Sequence, residues 1–189
     1  MNKSILISIF ALLVLAQLYV PTSMILEKED VLSSGQEFKF KTAPIDPHDL
    51  FRGKYIYLNF QANEIEVQST KDYVYDENMY AIITKDSNGY AKIQSISKAT
   101  PSDTENYVKI RVRNFFGKGN SQRVVVGYPF DRYYMEESKA PVAERAYNEL
   151  NRDSTQIAYA LVSIKNGESV LKDVLINGVP IKEIAKKMK

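Results

Sequence analysis

The 189-residue sequence contains no cysteine and no tryptophan, and it has a single histidine, His48. The lack of cysteine excludes a disulfide scaffold, a thiolate metal site and a cysteine nucleophile. One histidine is too few for a multi-histidine zinc centre. Neither sign of charge predominates, because 25 Lys and Arg face 23 Asp and Glu. This balance gives no electrostatic reason to expect a nucleic-acid partner. We predict no metal, no cofactor and no nucleic acid.

The N-terminal segment is apolar, and Lys3 is the one charged side chain among residues 1–26. About 20 apolar residues are needed to cross a ~30 Å hydrocarbon core, and residues 5–26 are long enough. Two interpretations compete. The segment is either an uncleaved transmembrane helix or a signal peptide that is cut near Gln17 and leaves a secreted or periplasmic protein. We favour the anchor, because the apolar run continues well past Gln17.

The charges around this segment predict its orientation. Lys3 and the terminal amine precede it, and no Lys or Arg cluster follows closely. The positive-inside tendency then leaves the N-terminus in the cytoplasm and the C-terminal domain outside, as a single-pass protein of a cytoplasmic membrane. We divide the chain into an anchor (1–26), a juxtamembrane linker (27–35) and an extracytoplasmic domain (36–189).

The remainder of the chain shows the alternation of β-strands. Apolar residues alternate with polar ones at 38–40, 56–60 and 108–112. Asn88-Gly89 and Asn166-Gly167 separate further apolar runs, and Asn-Gly pairs are typical of hairpin turns. Within residues 140–151, apolar residues instead recur at helical spacing, and Pro141 suits a first helical position. We predict a mainly β domain, an antiparallel sheet, barrel or sandwich with one internal helix, preceded by the transmembrane helix.

A block in the middle of the chain resembles a known family. Residues 45–60 read IDPHDLFRGKYIYLNF. This block is similar to the signature of the bacterial GDYXXLXY proteins, in which a DP-x-x-L-x-RG approach precedes G-D-Y-x-x-L-x-Y. Gly53, Tyr55 and Leu58 fall on that pattern, whereas Lys54 stands where the family has Asp and Phe60 where it has Tyr.

Other blocks agree with the same family in the same order. These are Gln17-Leu18 with Pro21, the stretch 133–137, and Ala143-Glu144. The resemblance implies a membrane-associated bacterial protein of uncharacterised function, often encoded near multi-pass membrane proteins. It supplies no catalytic residue, and Lys54 puts in doubt any chemical role of the family's Asp.

The segment that leads into the predicted strand of the motif, residues 55–60, is the first candidate site. Its residues are Asp46, Asp49, Arg52, Gly53 and Tyr55. The Asp and Pro residues suit an ordered turn, and the Arg52 guanidinium could bind either Asp. We favour this structural interpretation. The functional alternative makes the same residues the rim of a ligand or partner site.

A basic row is the second candidate site. Lys109, Arg111 and Arg113 project from one face of a predicted strand, opposite apolar neighbours. Such a row could bind lipid phosphates or an acidic partner. We favour a solvated face, or an edge strand whose charges discourage strand addition.

Three functions from different classes remain. The first is a membrane-anchored accessory or binding module that acts with a multi-pass membrane protein. The second is a ligand-binding or envelope-stress sensor domain. The third is a periplasmic hydrolase, which needs a polar constellation that no motif supplies. We favour the first and expect the protein not to be an enzyme.

Overall fold

The computed structural model describes residues 3–43, 55–118, 121–136, 142–143, 145, 147 and 156–187. Within these ranges a long N-terminal helix is followed by twelve strands, by four helical positions between 142 and 147, and by a short C-terminal helix. The helices are α1 (Lys3–Ser34) and α2 (Ile181–Lys187). The strands are β1 (Gln36–Ala43), β2 (Tyr55–Tyr57), β3 (Asn59–Phe60), β4 (Glu64–Val67), β5 (Asn78–Lys85), β6 (Ala91–Ser97), β7 (Tyr107–Lys118), β8 (Ser121–Gly127), β9 (Arg132–Tyr134), β10 (Ala158–Lys165), β11 (Glu168–Ile176) and β12 (Val179–Pro180).

The strands form a nearly closed antiparallel β structure, which confirms the predicted fold class. Sheet I has the order β12-β11-β10-β1-β3, and sheet II has the order β4-β8-β7-β5-β6. Single bridges, Lys39 with Tyr90 and Val108 with Gly167, join the two sheets. Residues 61–63 carry the chain from the edge of sheet I to the edge of sheet II. A ribbon of β2 and β9 completes the described strands.

One apolar core lies between the sheets. The alternation predicted for β1 places Phe38 and Phe40 in this core, and both are buried. Strand β7 contributes Val108, Ile110 and Val112 from the face opposite its basic row. An aromatic cluster anchors one part of the core, because the Phe40 ring contacts the rings of Phe60, Tyr128 and Phe130 with centroids 5.0–5.6 Å apart.

The predicted internal helix lies largely outside the described residues. Four positions within 140–151 are described, and all four are helical. Ala143 and Tyr147 are one turn apart and both buried, as expected of a helix that packs by one face. At the C-terminus, α2 buries Ile181 and Ala185 in the same manner.

Helix α1 is an exposed apolar helix over most of its length. Its large apolar side chains are exposed, with Leu12 at 71% and Phe10 at 65%. It is long and apolar enough to cross a membrane, as predicted, and a signal sequence has the same properties. Residues 27–35, which we predicted as a linker, are helical up to Ser34. No change of secondary structure therefore separates the apolar segment from the last turns of α1.

The last turns of α1 dock on the β10–β11 hairpin. Val31 is 2% exposed there. Glu168 accepts from Lys28 of the helix and from Lys109 of β7, each at 2.6 Å. Lys165 contacts Asp30 at 2.8 Å. Gly35 then ends the helix by donating its N–H to the Val31 carbonyl at 3.0 Å, and β1 begins at the next residue. Apolar and ionic contacts together hold the helix against the domain.

Acid should weaken this docking. Hydrogen bonds from Lys109 and Lys28 lower the pKa of Glu168, and the hydrogen bond from Lys165 lowers that of Asp30. Since both carboxylates have depressed pKa values, their contribution is present above the ordinary values and lost as pH falls through the lowered ones. We expect docking to be constant from neutral pH to about 4.5, the ordinary Glu value, and to loosen below it. Partial exposure limits the Glu168 contribution to about 0–1 kcal/mol.

Spin labels can measure that change, because the chain has no native cysteine. Cysteines introduced at Glu29 and Lys172, both exposed, place one label on the helix and one on strand β11 of the hairpin. The distance distribution should be narrow at neutral pH and broaden below pH 4.5. In the same pair carrying Glu168→Gln it should already be broader at neutral pH. A distance distribution that is unchanged by both acid and Glu168→Gln would contradict an ionic contribution to the docking of α1.

Candidate functional site

The motif strand forms one half of a two-stranded ribbon. Tyr55 pairs with Tyr134, Ile56 with Tyr133, and Tyr57 with Arg132. Because side chains alternate along a strand, this register puts Ile56 and Tyr133 inside, where both are buried. The other four side chains face outward. We call these four the aromatic ribbon: Tyr55, Tyr57, Arg132 and Tyr134.

The aromatic ribbon is held by contacts among its own side chains. The rings of Tyr55 and Tyr134 lie 5.4 Å apart between centroids. The Arg132 guanidinium lies over the Tyr55 ring at 5.2 Å, which is cation–π geometry. Tyr57 and Tyr134 nevertheless expose 49% and 63% of their surface. Large polar-tipped side chains are thus presented to solvent in a fixed arrangement.

Tyr55 is the described member of the first candidate site. Asp46, Asp49, Arg52 and Gly53 lie outside the described residues, so the structure does not test the predicted turn. The later positions of the motif have core roles. Leu58 is 1% exposed and donates its N–H to the Asp131 carbonyl at 2.8 Å, and Phe60 belongs to the aromatic cluster.

The basic row lies on the outer face of β7 as predicted, and carboxylates pair with it. Lys109 binds Glu168. Arg111 and Arg113 share the carboxylate of Asp76, each from Nη1 at 3.3 Å. Asp76 has φ 62°, a left-handed conformation uncommon for a residue with a side chain. The three side chains remain about half exposed, at 48–58%, and each of them is paired with a carboxylate.

A cleft separates the basic row from the aromatic ribbon. Its volume is about 350 Å³. Arg111 and Arg113 line it from β7, Arg132 and Asp131 from β9 and the turn before it, and Gly127 and Tyr128 from the end of β8. We call this the arginine cleft. An adjoining hollow of about 420 Å³ shares Arg113 with it and extends to Tyr57 and Tyr75.

Gly127 lets Arg113 lie in the arginine cleft. A Cβ at position 127 would be 2.6 Å from Arg113 Nε and 3.0 Å from its Cγ. The absence of that Cβ makes room for the arginine stem across the end of β8. The side chain of Arg113 uses Nη1 for Asp76, while its Nε and Nη2 donors take no acceptor among the described residues.

Asp131 is the acidic residue that lines the cleft. Burial raises the pKa of Asp131, and the charges of Arg132 and Arg113 partly offset that effect. Its Oδ1 lies 3.8 Å from Arg132 Nε, a long contact for an ion pair. Three guanidinium groups are thus set against Asp76 and Asp131. Within the described ranges, no group of three Asp, Glu, His or Cys could hold a metal ion.

Sequence reasoning found part of this constellation. It placed Lys109, Arg111 and Arg113 on one face, and it included Tyr55. It missed Arg132, Asp131 and Asp76. The dipeptide Asp131-Arg132, which follows Tyr-Pro-Phe at the end of an apolar run, was the available signal. That signal gave no indication that β9 would pair with the motif strand.

These observations define a β domain carried on an apolar N-terminal helix, with an arginine-lined cleft beside an outward aromatic ribbon. The family model described as GDYXXLXY protein matches residues 17–174. The chain belongs to the GDYXXLXY family, as the motif predicted. No curated protein and no solved structure matches it.

Proposed function

We propose that this protein is a membrane-anchored accessory module, which holds a β domain at the outer surface of a cytoplasmic membrane and acts with a multi-pass membrane protein. The observation that carries the proposal is the continuity of α1. The apolar segment is exposed along its length, and the same helix docks on the domain through Val31 and two sets of ion pairs. A continuous, docked helix of this kind would hold the domain in one orientation relative to the apolar segment, which a flexible linker would not do.

The residues of the aromatic ribbon favour a protein as the partner. Tyr and Arg are enriched in protein interfaces, and they often carry much of the binding energy there. Tyr134 and Tyr75 expose 63% and 66% of their surface, and Tyr75 lines the hollow next to the arginine cleft. The module has no reaction of its own in this proposal.

Site-specific photo-crosslinking in intact membranes tests the partner. A photoreactive residue at Tyr134 should capture an integral membrane protein with several spans. The same residue at Asn88 is the control, because Asn88 is an exposed turn residue that lines neither the cleft nor its adjoining hollow. Equal capture at both positions, or no capture at Tyr134, would contradict a specific partner surface.

The anchor and its orientation have separate tests. N-terminal sequencing of the membrane-extracted protein should find the uncut N-terminus, whereas a new terminus near Gln17 would contradict the anchor. External protease should reach the domain in spheroplasts. Protection of the domain there would contradict the outward orientation.

A further inference from the structure

We propose that the arginine cleft binds a phosphate-bearing anion, with Arg113 and Arg132 as its principal contacts. This binding site is independent of the membrane-protein partner. The ligand is either a free phosphate compound or the headgroup of an anionic phospholipid.

The first argument is the charge of the cleft. Four cations, Lys109, Arg111, Arg113 and Arg132, line the cleft against the one carboxylate of Asp131, so the described lining carries an excess of positive charge. Asp76 and Glu168, which pair with three of these cations, lie outside the lining. Burial also raises the pKa of Asp131. A bound anion would supply the missing negative charge. Arginine suits phosphate in particular, since its planar fork can donate two parallel hydrogen bonds to two oxygens.

The second argument is the room kept for Arg113. The missing Cβ at Gly127 allows the arginine stem to lie along the end of β8, and two donor nitrogens of the guanidinium take no described protein acceptor. Asp76 holds Nη1 from a left-handed backbone position, and such outliers persist where the surrounding structure enforces them. The guanidinium is therefore positioned by the protein and retains donors for a ligand.

The third argument is the position of the cleft relative to α1. Lys109 also lines the cleft, and Glu168 links it to Lys28 of the helix. Lys28 follows the apolar segment by two residues, which is about 3 Å along a helix. If residues 5–26 span a bilayer, this end of the cleft lies near the level of the headgroups. Lys28 stands there among Glu27, Glu29 and Asp30, so the cations available to an anionic headgroup are those that line the cleft. The cleft is thus accessible to both sources of phosphate.

Calorimetric titration of the full-length protein in a non-ionic maltoside detergent tests the site. The two probes are inorganic phosphate and dihexanoyl phosphatidylglycerol, and dihexanoyl phosphatidylcholine is the lipid control. We expect saturable binding of at least one anionic probe. Binding of phosphate indicates a soluble ligand, and binding of the glycerol lipid without phosphate or the choline lipid indicates a headgroup.

Four variants distinguish a specific anion site from non-specific electrostatic attraction of the anion to the domain. Arg113→Gln should weaken binding roughly tenfold or more, because it removes a charged hydrogen-bond donor. Gly127→Ala should weaken binding while leaving every charge in place. Asp131→Asn should tighten it by roughly fivefold, as the loss of one nearby like charge predicts.

Arg123→Gln is the matched control. Arg123 lies on β8 with 44% of its side chain exposed, against 48% for Arg113, and it also pairs with carboxylates, Glu64 and Glu66. It lines no part of the arginine cleft, so its substitution should leave affinity unchanged. An equal loss in Arg123→Gln would overturn the proposal, and so would the absence of saturable binding by both anionic probes. Neither result would bear on crosslinking at Tyr134.

Discussion

Phe40→Ala should lower the free energy of unfolding by about 3–5 kcal/mol, the usual range for truncation of a buried Phe. Phe40 has no exposed surface. Its ring contacts Phe60, Tyr128 and Phe130 in edge-to-face arrangements, so the substitution also removes aromatic pairs worth about 0.5–1.5 kcal/mol each beyond their buried area. A loss of this size is a large share of the 5–15 kcal/mol typical of a domain.

Thermal unfolding, followed by the strand signal in circular dichroism, measures this effect. For a chain of this length the loss corresponds to a fall in melting temperature of roughly 6–20 °C. Phe116→Ala is the control, because Phe116 is 46% exposed and its truncation should cost about 0.5 kcal/mol or less. Similar melting temperatures for the two variants would contradict the placement of Phe40 at the centre of the core.

Gly35→Ala should undock α1 from the domain. A Cβ at position 35 would lie closer than 3.0 Å to the Val31 carbonyl oxygen and 3.1 Å from that of Ile164. Both atoms belong to the backbone, so no side-chain rotation relieves the contact. Either the helix end or the start of β1 must shift, at a cost of about 1–3 kcal/mol. The shift would separate Lys28 from Glu168, which are now 2.6 Å apart.

Zero-length carbodiimide coupling reports this separation. The reagent joins a lysine amine to a carboxylate in direct contact, and peptide mass spectrometry identifies the product. The Lys28–Glu168 crosslink should form in the native chain and be strongly reduced by Gly35→Ala. Gly89→Ala is the control for backbone strain away from the helix: its φ of +80° strains an alanine, but the added Cβ would meet nothing within 4 Å, so the crosslink should persist. An undiminished crosslink in Gly35→Ala would show that the junction tolerates the extra methyl.

The sequence predicted those features of the fold that arise from local patterns. Alternation placed Phe38 and Phe40 on one face of β1, and the turn at Asn166-Gly167 joins β10 to β11. Such features depend on the two-residue period of a strand and on the backbone preferences of a turn, which neighbouring residues determine. For the same reason the basic row lies on the expected face of β7.

The remaining features depend on residues distant in the chain. Asp76 pairs with Arg111 from 35 positions away, and Glu168 pairs with Lys109 from 59 positions away. No local pattern specifies such partners. The ribbon of β2 and β9 likewise joins residues almost 80 positions apart. The arginine cleft is a product of these long-range pairings. The sequence therefore indicated three of the four cations that line it, all except Arg132, and none of the carboxylates.

Because the helix is unbroken between the apolar segment and the domain, the number of residues between them determines how the domain is rotated about the helix axis. Each residue in a helix turns the following structure by about 100° and advances it by about 1.5 Å. One residue inserted between Leu26 and Lys28 would therefore swing the arginine cleft and the aromatic ribbon about the helix axis by more than a quarter of a circle. Three or four inserted residues would return the arginine cleft and the aromatic ribbon to nearly their original orientation about the axis, about 5 Å further along it. In the proposed membrane-anchored arrangement, the spacing from the apolar segment to the hairpin thus determines which side of the domain a neighbouring membrane protein would contact.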